Sequence, residues 1–258
     1  YLNAVCKREI DPYSDFRVRK HLLGGTSKSN IRRYRLISVP DAPLLRVQRW
    51  IHARILSVPE PHRASSAYRK GNSVYEAALR HADSKWLIKL DIERFFESIT
   101  EARAYRVFRN LAYPRLLSFQ MARLCTRIPS EKSIRNKFKR KKVYENATYT
   151  HKALGYLPQG APTSPLLANL VMVDFDEKLR ELSSRAGLRY SRYADDLMFS
   201  TSADYSRDLA ARFIRDSYDV LGKAGFEANR SKTGIFPPSA RKVVLGLLVD
   251  HETPKLTR

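Results

Sequence analysis

The sequence predicts an α+β fold, on three observations. Runs rich in apolar and strand-forming residues occur at 34–40, 86–91, 189–193, 197–201 and 242–249. Between them lie segments with helical apolar spacing, at 43–56, 74–81, 101–128, 164–186 and 206–224. Two of the strand runs flank a short turn, Tyr193-Ala194-Asp195-Asp196, which sets two carboxylates side by side. Adjacent acids repel, so the turn is costly unless a cation neutralises it. Rigidly held oxygen ligands suit Mg²⁺, which keeps waters and shares substrate phosphates. An ordinary acidic turn is the alternative, because Asp is common in turns.

The 258 residues, 43% of them hydrophobic, suffice for one large domain or two subdomains. Lys and Arg number 48 against 26 Asp and Glu, and a net charge of +22 points to a polyanion partner. Fourteen Tyr and eleven Phe could stack bases while the cations hold phosphates. An anionic membrane surface ranks lower, since no basic helix with a clean apolar face stands out. Cys6 and Cys125 are too few and too far apart for a disulfide framework or a zinc site, which makes a reducing cytoplasm the expected compartment. No apolar run approaches a membrane span and no signal peptide is visible. The chain opens on Tyr1 rather than Met, so the natural N-terminus is expected upstream.

Residues 1–33 are polar and basic with weak periodicity, apart from 20–25, whose glycines could end a short helix. Residues 34–40 read as a strand stopped by Pro40. The helix over 43–56 has Leu44, Val47, Trp50, Ile51 and Ile55 as its apolar stripe. Arg46, Arg49 and Arg54 fall largely off that stripe, as a solvated face or as nucleic-acid contacts. Segment 61–73 is basic; Arg63, Arg69 and Lys70 could grip phosphates, and Ser73 could cap the helix that starts at Val74.

An apolar strand then runs into Asp91 and on to Phe95 and Phe96. A strand end is a common place for a catalytic ligand, although a capping role would also put an acid there. Residues 101–128 read as helical, with Leu111, Leu116, Leu117, Phe119, Met121 and Leu124 on the apolar side. Segment 132–142 is dense in positive charge and reads as an exposed loop or insertion, either simply solvated or, given the charge of the whole chain, touching phosphate backbone. The turn-rich loop from Leu157 leads into a long helix, with Ser164 as N-cap and Pro165 in the first position. Leu166, Leu167, Leu170, Val171, Phe175, Leu179 and Leu182 form its buried stripe, and Gly187 closes it. The loop sets Gln159 and Gly160 at a helix N-terminus, a natural location for a phosphate or a base pair. A helix over 206–224 ends at Gly225, and Lys232 lies in a turn before the last strand, 242–249.

Three elements now stand in order: Leu90-Asp91-Ile92 with Phe95-Phe96 and Ser98-Ile99, then Leu157-Pro158-Gln159-Gly160-Ala161-Pro162-Thr163-Ser164-Pro165, then Tyr193-Ala194-Asp195-Asp196. In order and spacing they resemble the motifs of reverse transcriptases, above all the bacterial group of retron, group II intron-type and antiphage-defence enzymes. The resemblance runs from about residue 34 to 249. It implies a right-hand polymerase fold with fingers and a ferredoxin-like palm, the thumb being expected to be missing from the chain. The implied division is an N-terminal extension 1–33, fingers 34–85, palm 86–100, fingers and connecting helices 101–156 with a basic insertion 131–145, palm 157–250, and the start of a thumb or connector 251–258.

By the same resemblance, Asp91 with its neighbour Ile92, Asp195 and Asp196 would hold two Mg²⁺ ions that activate the primer hydroxyl and stabilise the leaving pyrophosphate, which Lys232 would protonate. Arg63, Arg69 and Lys70 would take the triphosphate. Phe95 and Phe96 would line the nucleotide site, with Phe96 excluding a ribose 2′-hydroxyl, and Gln159 and Gly160 would lie against nucleotide and template. Tyr193, Arg46, Arg49, His81, Lys137, Lys139 and Arg140 would contact nucleic acid.

The function implied is an RNA-directed DNA polymerase that adds dNTPs to a primer, of retron type, making RNA-linked DNA for antiphage defence. Its partners would be a structured RNA template, the RNA–DNA hybrid, and an effector protein or further copies in a defence complex. Retron enzymes carry Asn-Ala-x-x-His and Val-Thr-Gly motifs. Here Ala77 replaces the Asn before Ala78 and His81, and Leu245 replaces the Thr between Val244 and Gly246. These departures leave open another defence or group II intron-type reverse transcriptase. An RNA-dependent RNA polymerase shares the palm, but Phe96 argues against it. Asp91, Asp195 and Asp196 argue against a non-catalytic RNA-binding scaffold.

Overall fold

The computed structural model describes residues 1–19, 34–69, 71–128 and 154–257. Lys70, Lys137, Lys139, Arg140, the expected helix end at 20–25 and the basic insertion 131–145 lie outside the described residues. The chain divides into two compact units, Tyr1–Val58 with Ile99–Leu167, and Pro59–Ser98 with Ala168–Arg258.

In the first unit Tyr13–Arg19 (β1) pairs antiparallel with Tyr34–Pro40 (β2). β1 escaped the sequence reading because every residue after Tyr13 is exposed, which leaves no apolar alternation. Asp41 caps the helix Ala42–Ile51, its carboxylate accepting from the Leu44 N–H at 3.1 Å, and the helix continues as a π-turn, His52–Leu56. Trp50 does not belong to the buried stripe; it is 59% exposed. Gln48 is buried, donating to the Tyr13 hydroxyl at 2.8 Å and the Leu124 carbonyl at 2.7 Å. Residues 101–128 form two helices rather than one, Glu101–Asn110 and Arg115–Cys125. Ala112 at φ 65 and Pro114 break them, and Leu116 and Leu117 face solvent. The core of this unit gathers Val5, Tyr13, Leu44, Leu124 and Ala161.

The second unit is built on a four-stranded antiparallel sheet of Trp86–Asp91 (β3), Arg189–Tyr193 (β4), Asp196–Thr201 (β5) and Gly234–Phe236 (β6), in the order β4-β5-β3-β6. Central β3 is buried throughout except at half-buried Lys89, as its otherwise apolar run requires. The register places Tyr190, Arg192, Leu197, Phe199, Leu90 and Ile88 on one face. The helices Val173–Arg185 and Arg207–Lys223 cover that face. Phe199 meets Phe213 edge-on at 4.8 Å and stacks on Tyr190 at 5.1 Å. On the opposite face Leu87 and Met198 pack with Ala78, Val244 and Val249.

The expected long helix from Ser164 is interrupted at Met172, giving Ser164–Val171 and Val173–Arg185. Ser164 is the first helical residue, and its Oγ donates to the Pro158 carbonyl at 2.7 Å. Ser73 and Ser206 do cap their helices, Ser73 in a reciprocal pair with Glu76. The expected strand 242–249 is a hairpin, Val243–Val244 (β7) and Leu247–Leu248 (β8), turning on Leu245 at φ 50 and Gly246 at φ 85; Lys255–Leu256 (β9) adds a third strand. Among the described residues no helix is long and apolar enough to cross a membrane.

Candidate active site

The acids of the second unit meet because of strand register. β3 ends on Asp91, which stands opposite Asp196, the first residue of β5. Asp196 in turn faces Tyr193 across a two-residue turn of Ala194 and Asp195. Ala194 takes φ 55, a left-handed conformation that costs an alanine about 1–2 kcal/mol. Both carbonyls of the turn are held from outside it: Ile92 N–H donates to the Asp195 carbonyl at 3.0 Å, and Arg192 Nη1 donates to the Ala194 carbonyl at 3.1 Å.

Arg192 was not singled out from the sequence, where it reads as one more surface cation beside the acidic turn. It is fully buried, with Nη2 at 2.7 Å from Asp176 Oδ2 and Nε at 2.8 Å from Asp176 Oδ1. Its Nη1 also donates to Asn169 Oδ1 at 3.1 Å. Asn169 accepts from Ser65 at 2.8 Å and donates to the Ala67 carbonyl at 2.8 Å. Asp176 gives the signal that could have been read: it falls among the buried positions Met172, Phe175, Leu179 and Ser183, where an acid needs a partner. Phe95 lies under this network, buried, with the Arg192 guanidinium 5.9 Å from its ring centre. Phe96 is half-buried between Phe95, 5.4 Å away, and Tyr68, 6.4 Å away.

Asp91 is 3% exposed and its Oδ2 accepts from Lys232 Nζ. Lys232 reaches it from the short turn Arg230–Lys232, which is anchored by the Asn229 N–H donating to the Asp91 carbonyl at 2.7 Å. Burial, then Asp195 and more weakly Asp91, push the Asp196 carboxyl up to about 6, against the opposing pull of Lys89 and Lys232. Lys89, also missed in the sequence, sits two residues before Asp91 on the same face of β3 and donates to the Val243 carbonyl at 3.3 Å. Among the described residues no three His, Cys, Asp or Glu side chains already form a metal-holding group. The donors on offer are carboxylate oxygens, which fit a hard divalent cation, and Lys232 places a positive charge against one of them.

His81 does not reach solvent and cannot touch nucleic acid in this structure. It is fully buried between Ser191 Oγ, 2.6 Å from Nε2, and Ser200 Oγ, 2.8 Å from Nδ1. Burial holds its imidazole down at about 3, with Arg189 and Arg80 adding to the effect. Arg69 is 3.5 Å from Glu60, and Arg63 lines a hollow whose walls include none of the three acids. Arg46 and Arg49 are exposed on their helix in the first unit. In that unit the Gln159 carbonyl accepts from Ser38 N–H at 2.7 Å, and Gly160 takes φ 116. A Cβ at Gly160 would stand 2.9 Å from the Ser38 carbonyl oxygen, so glycine is demanded here by β2 itself.

Residues 26–247 match the family described as reverse transcriptase (RNA-dependent DNA polymerase). Among curated proteins, the chain is 29% identical over 239 residues to the retron Ec86 reverse transcriptase of Escherichia coli, covering 93% of this chain and 65% of that one. It is 32% identical over 222 residues to the retron Mx65 reverse transcriptase of Myxococcus xanthus, covering 84% and 48%. The chain thus spans about half to two thirds of the length of these relatives. Among solved structures, telomerase from Candida albicans in complex with a fragment of telomeric RNA aligns with a TM-score of 0.55 at 11% identity, covering 95% of this chain and 47% of that one. Apo telomerase from Candida tropicalis aligns with a TM-score of 0.53 at 12% identity, covering 93% and 50%.

Proposed function

Because the chain belongs to the reverse transcriptase family, we propose that it is the polymerising part of a retron-type RNA-directed DNA polymerase, which adds dNTPs to a primer on a structured RNA template. The observation that carries this reading is the register that sets Asp91 opposite Asp196 with Asp195 on the adjoining turn. In this reading Asp91, Asp195 and Asp196 hold two Mg²⁺ ions, whose chemistry when bound is to activate the primer hydroxyl and offset charge on the leaving pyrophosphate. Asp196 must shed its proton to act as a ligand, and Lys89 and Lys232 favour that loss. Lys232, drawn off Asp91, gives a proton to pyrophosphate in this reading. Phe96, steadied by Phe95 and Tyr68, bars a 2′-hydroxyl. Arg69, with Gln159 and Gly160, serves the incoming nucleotide.

In the same reading the first unit contributes fingers and the second carries the palm. The net charge of +22 supports a polynucleotide partner. The free thiols of Cys6 and Cys125 suit a reducing bacterial cytoplasm, where RNA-linked DNA would serve antiphage defence.

The test is magnesium-dependent dNTP incorporation by the full-length natural protein and its Asp195→Ala form. We expect incorporation to vanish in the variant while RNA binding persists. Incorporation by Asp195→Ala would reject the metal assignment, and RNA binding without incorporation by the natural protein would favour a scaffold.

A further inference from the structure

The hollow that Arg63 lines has a volume of about 300 Å³, and its other walls are Ala64, Arg80, Arg180 and Tyr190. That is the small end of the range for organic ligand sites, about 300–1,000 Å³. No acid lines it. Arg180 is already answered by Glu177, which it meets through Nε at 2.9 Å and through Nη2 at 2.5 Å. Glu177 also meets His62 at 2.9 Å, so its carboxylate is shared between Arg180 and His62. Arg63 and Arg80 have no ion-pair partner among the described residues, and both are exposed. They are held together, because Arg80 Nη1 donates to the Arg63 carbonyl at 2.9 Å.

The aromatic wall is rigid. Tyr190 stacks on Phe199 and its hydroxyl donates to Asp176 at 2.7 Å, so the ring presents a fixed surface. Two uncompensated guanidiniums beside a fixed aromatic surface suit a phosphodiester with its base or sugar against the ring. The place is separate from the acids. Tyr190 lies three residues before Tyr193, the partner of Asp196, which is about 10 Å along β4, and its side chain is on the helix-covered face, away from the face of Asp91 and Asp196.

We propose that this hollow holds a backbone phosphate of a single-stranded nucleic acid, outside the polymerising site. The inference stands on the second unit alone and does not require polymerase activity. It is tested by fluorescence anisotropy of the full-length protein with fluorescein-labelled rU20 and dT20, in EDTA and without dNTPs, across a KCl series. Arg63→Gln/Arg80→Gln should weaken binding several-fold. It should also flatten the slope of log K against log salt by about 0.7, the contribution of one single-strand phosphate contact. Arg63→Lys/Arg80→Lys keeps both charges and should restore the slope. Arg212→Gln/Arg215→Gln, which removes two exposed charges from the helix Arg207–Lys223, should change it by less than half as much. A loss seen with rU20 alone assigns the strand as RNA; a loss with both probes assigns the phosphate itself. An unchanged slope in Arg63→Gln/Arg80→Gln, an equal fall in the control pair, or no recovery with lysine overturns the proposal.

Discussion

Arg192 Nη2 lies 2.7 Å from Asp176 Oδ2, with both side chains wholly buried. Through Arg192 the same pair grips the carbonyl of Ala194, so helix Val173–Arg185 fixes the strained turn beside the acids. Removing one partner leaves an unpaired buried charge, which costs about 3–5 kcal/mol, whereas exchanging both for apolar residues is often near neutral. Asp176→Asn and Arg192→Met should each lower urea-unfolding stability by about that amount. Arg192→Met/Asp176→Leu should recover much of the loss in stability yet little of the catalytic rate, because the Ala194 carbonyl stays unheld. Equal recovery of both quantities would remove the turn from the explanation.

In the proposed reading Lys232, which already meets Asp91, competes with a divalent cation for that carboxylate. Lys232→Met should therefore lower the Mg²⁺ concentration needed for half-maximal incorporation. It should also reduce the maximal rate roughly 100-fold or more, the scale of a lost general acid. A magnesium titration of primer extension reads both quantities. An unchanged rate would dismiss the proton-donor role, and an unchanged half-point would dismiss the competition.

His81 gives a pH dependence with a definite sign. Its folded value of about 3 lies below its ordinary 6.5, so unfolding takes up a proton between those values. The stability tied to this histidine is complete above pH 6.5 and declines by about 1.4 kcal/mol per unit below it. Between pH 7.5 and 5.5 the wild-type protein should lose about 1.4 kcal/mol more than His81→Gln in urea unfolding. Parallel losses would mean that the imidazole takes its proton in the folded state.

Phe96 is steadied by Tyr68 as well as by Phe95. Phe96→Ala should raise the ratio of ribonucleotide to deoxynucleotide incorporation by roughly 10–200-fold, the usual worth of a small steric difference in a pocket. Tyr68→Ala should shift the ratio the same way but less. Competition assays with paired nucleotides decide the matter, and a ratio unmoved by Phe96→Ala places the gate elsewhere.

The parts of the site that were legible in sequence are those with a local signature. Asp91 closes a strand that is apolar but for Lys89, and the Tyr193–Asp196 turn sits between two strand-like runs. Ser73 precedes its helix as a good cap does. What stayed hidden depends on partners distant in sequence. Arg192 looks like a solvated charge until the sheet stacks on the helix, and only Asp176, on the apolar stripe of that helix, hints that a buried partner is needed. β1 needs β2 beside it to be a strand at all, since its side chains are exposed. The 242–249 hairpin was read as one strand because its turn uses Leu245 at φ 50, a conformation that the sequence does not announce in a leucine. Trp50 misled for the opposite reason, a large apolar residue at helical spacing that the fold leaves outside.

The order β4-β5-β3-β6 has a consequence for how the protein is made. Both neighbours of β3 come much later in the chain, the nearer with Asp196 opposite Asp91, roughly a hundred residues on. At ribosomal speeds of about 5–20 residues per second, Leu87, Ile88 and Leu90 wait roughly 5–20 seconds without a strand to pair with. During synthesis the centre of the sheet is an unpaired apolar edge, the kind of segment that aggregates or recruits a chaperone. Expression at lower temperature, or with holdase chaperones in excess, should accordingly raise the soluble yield more than any change made to the finished surface.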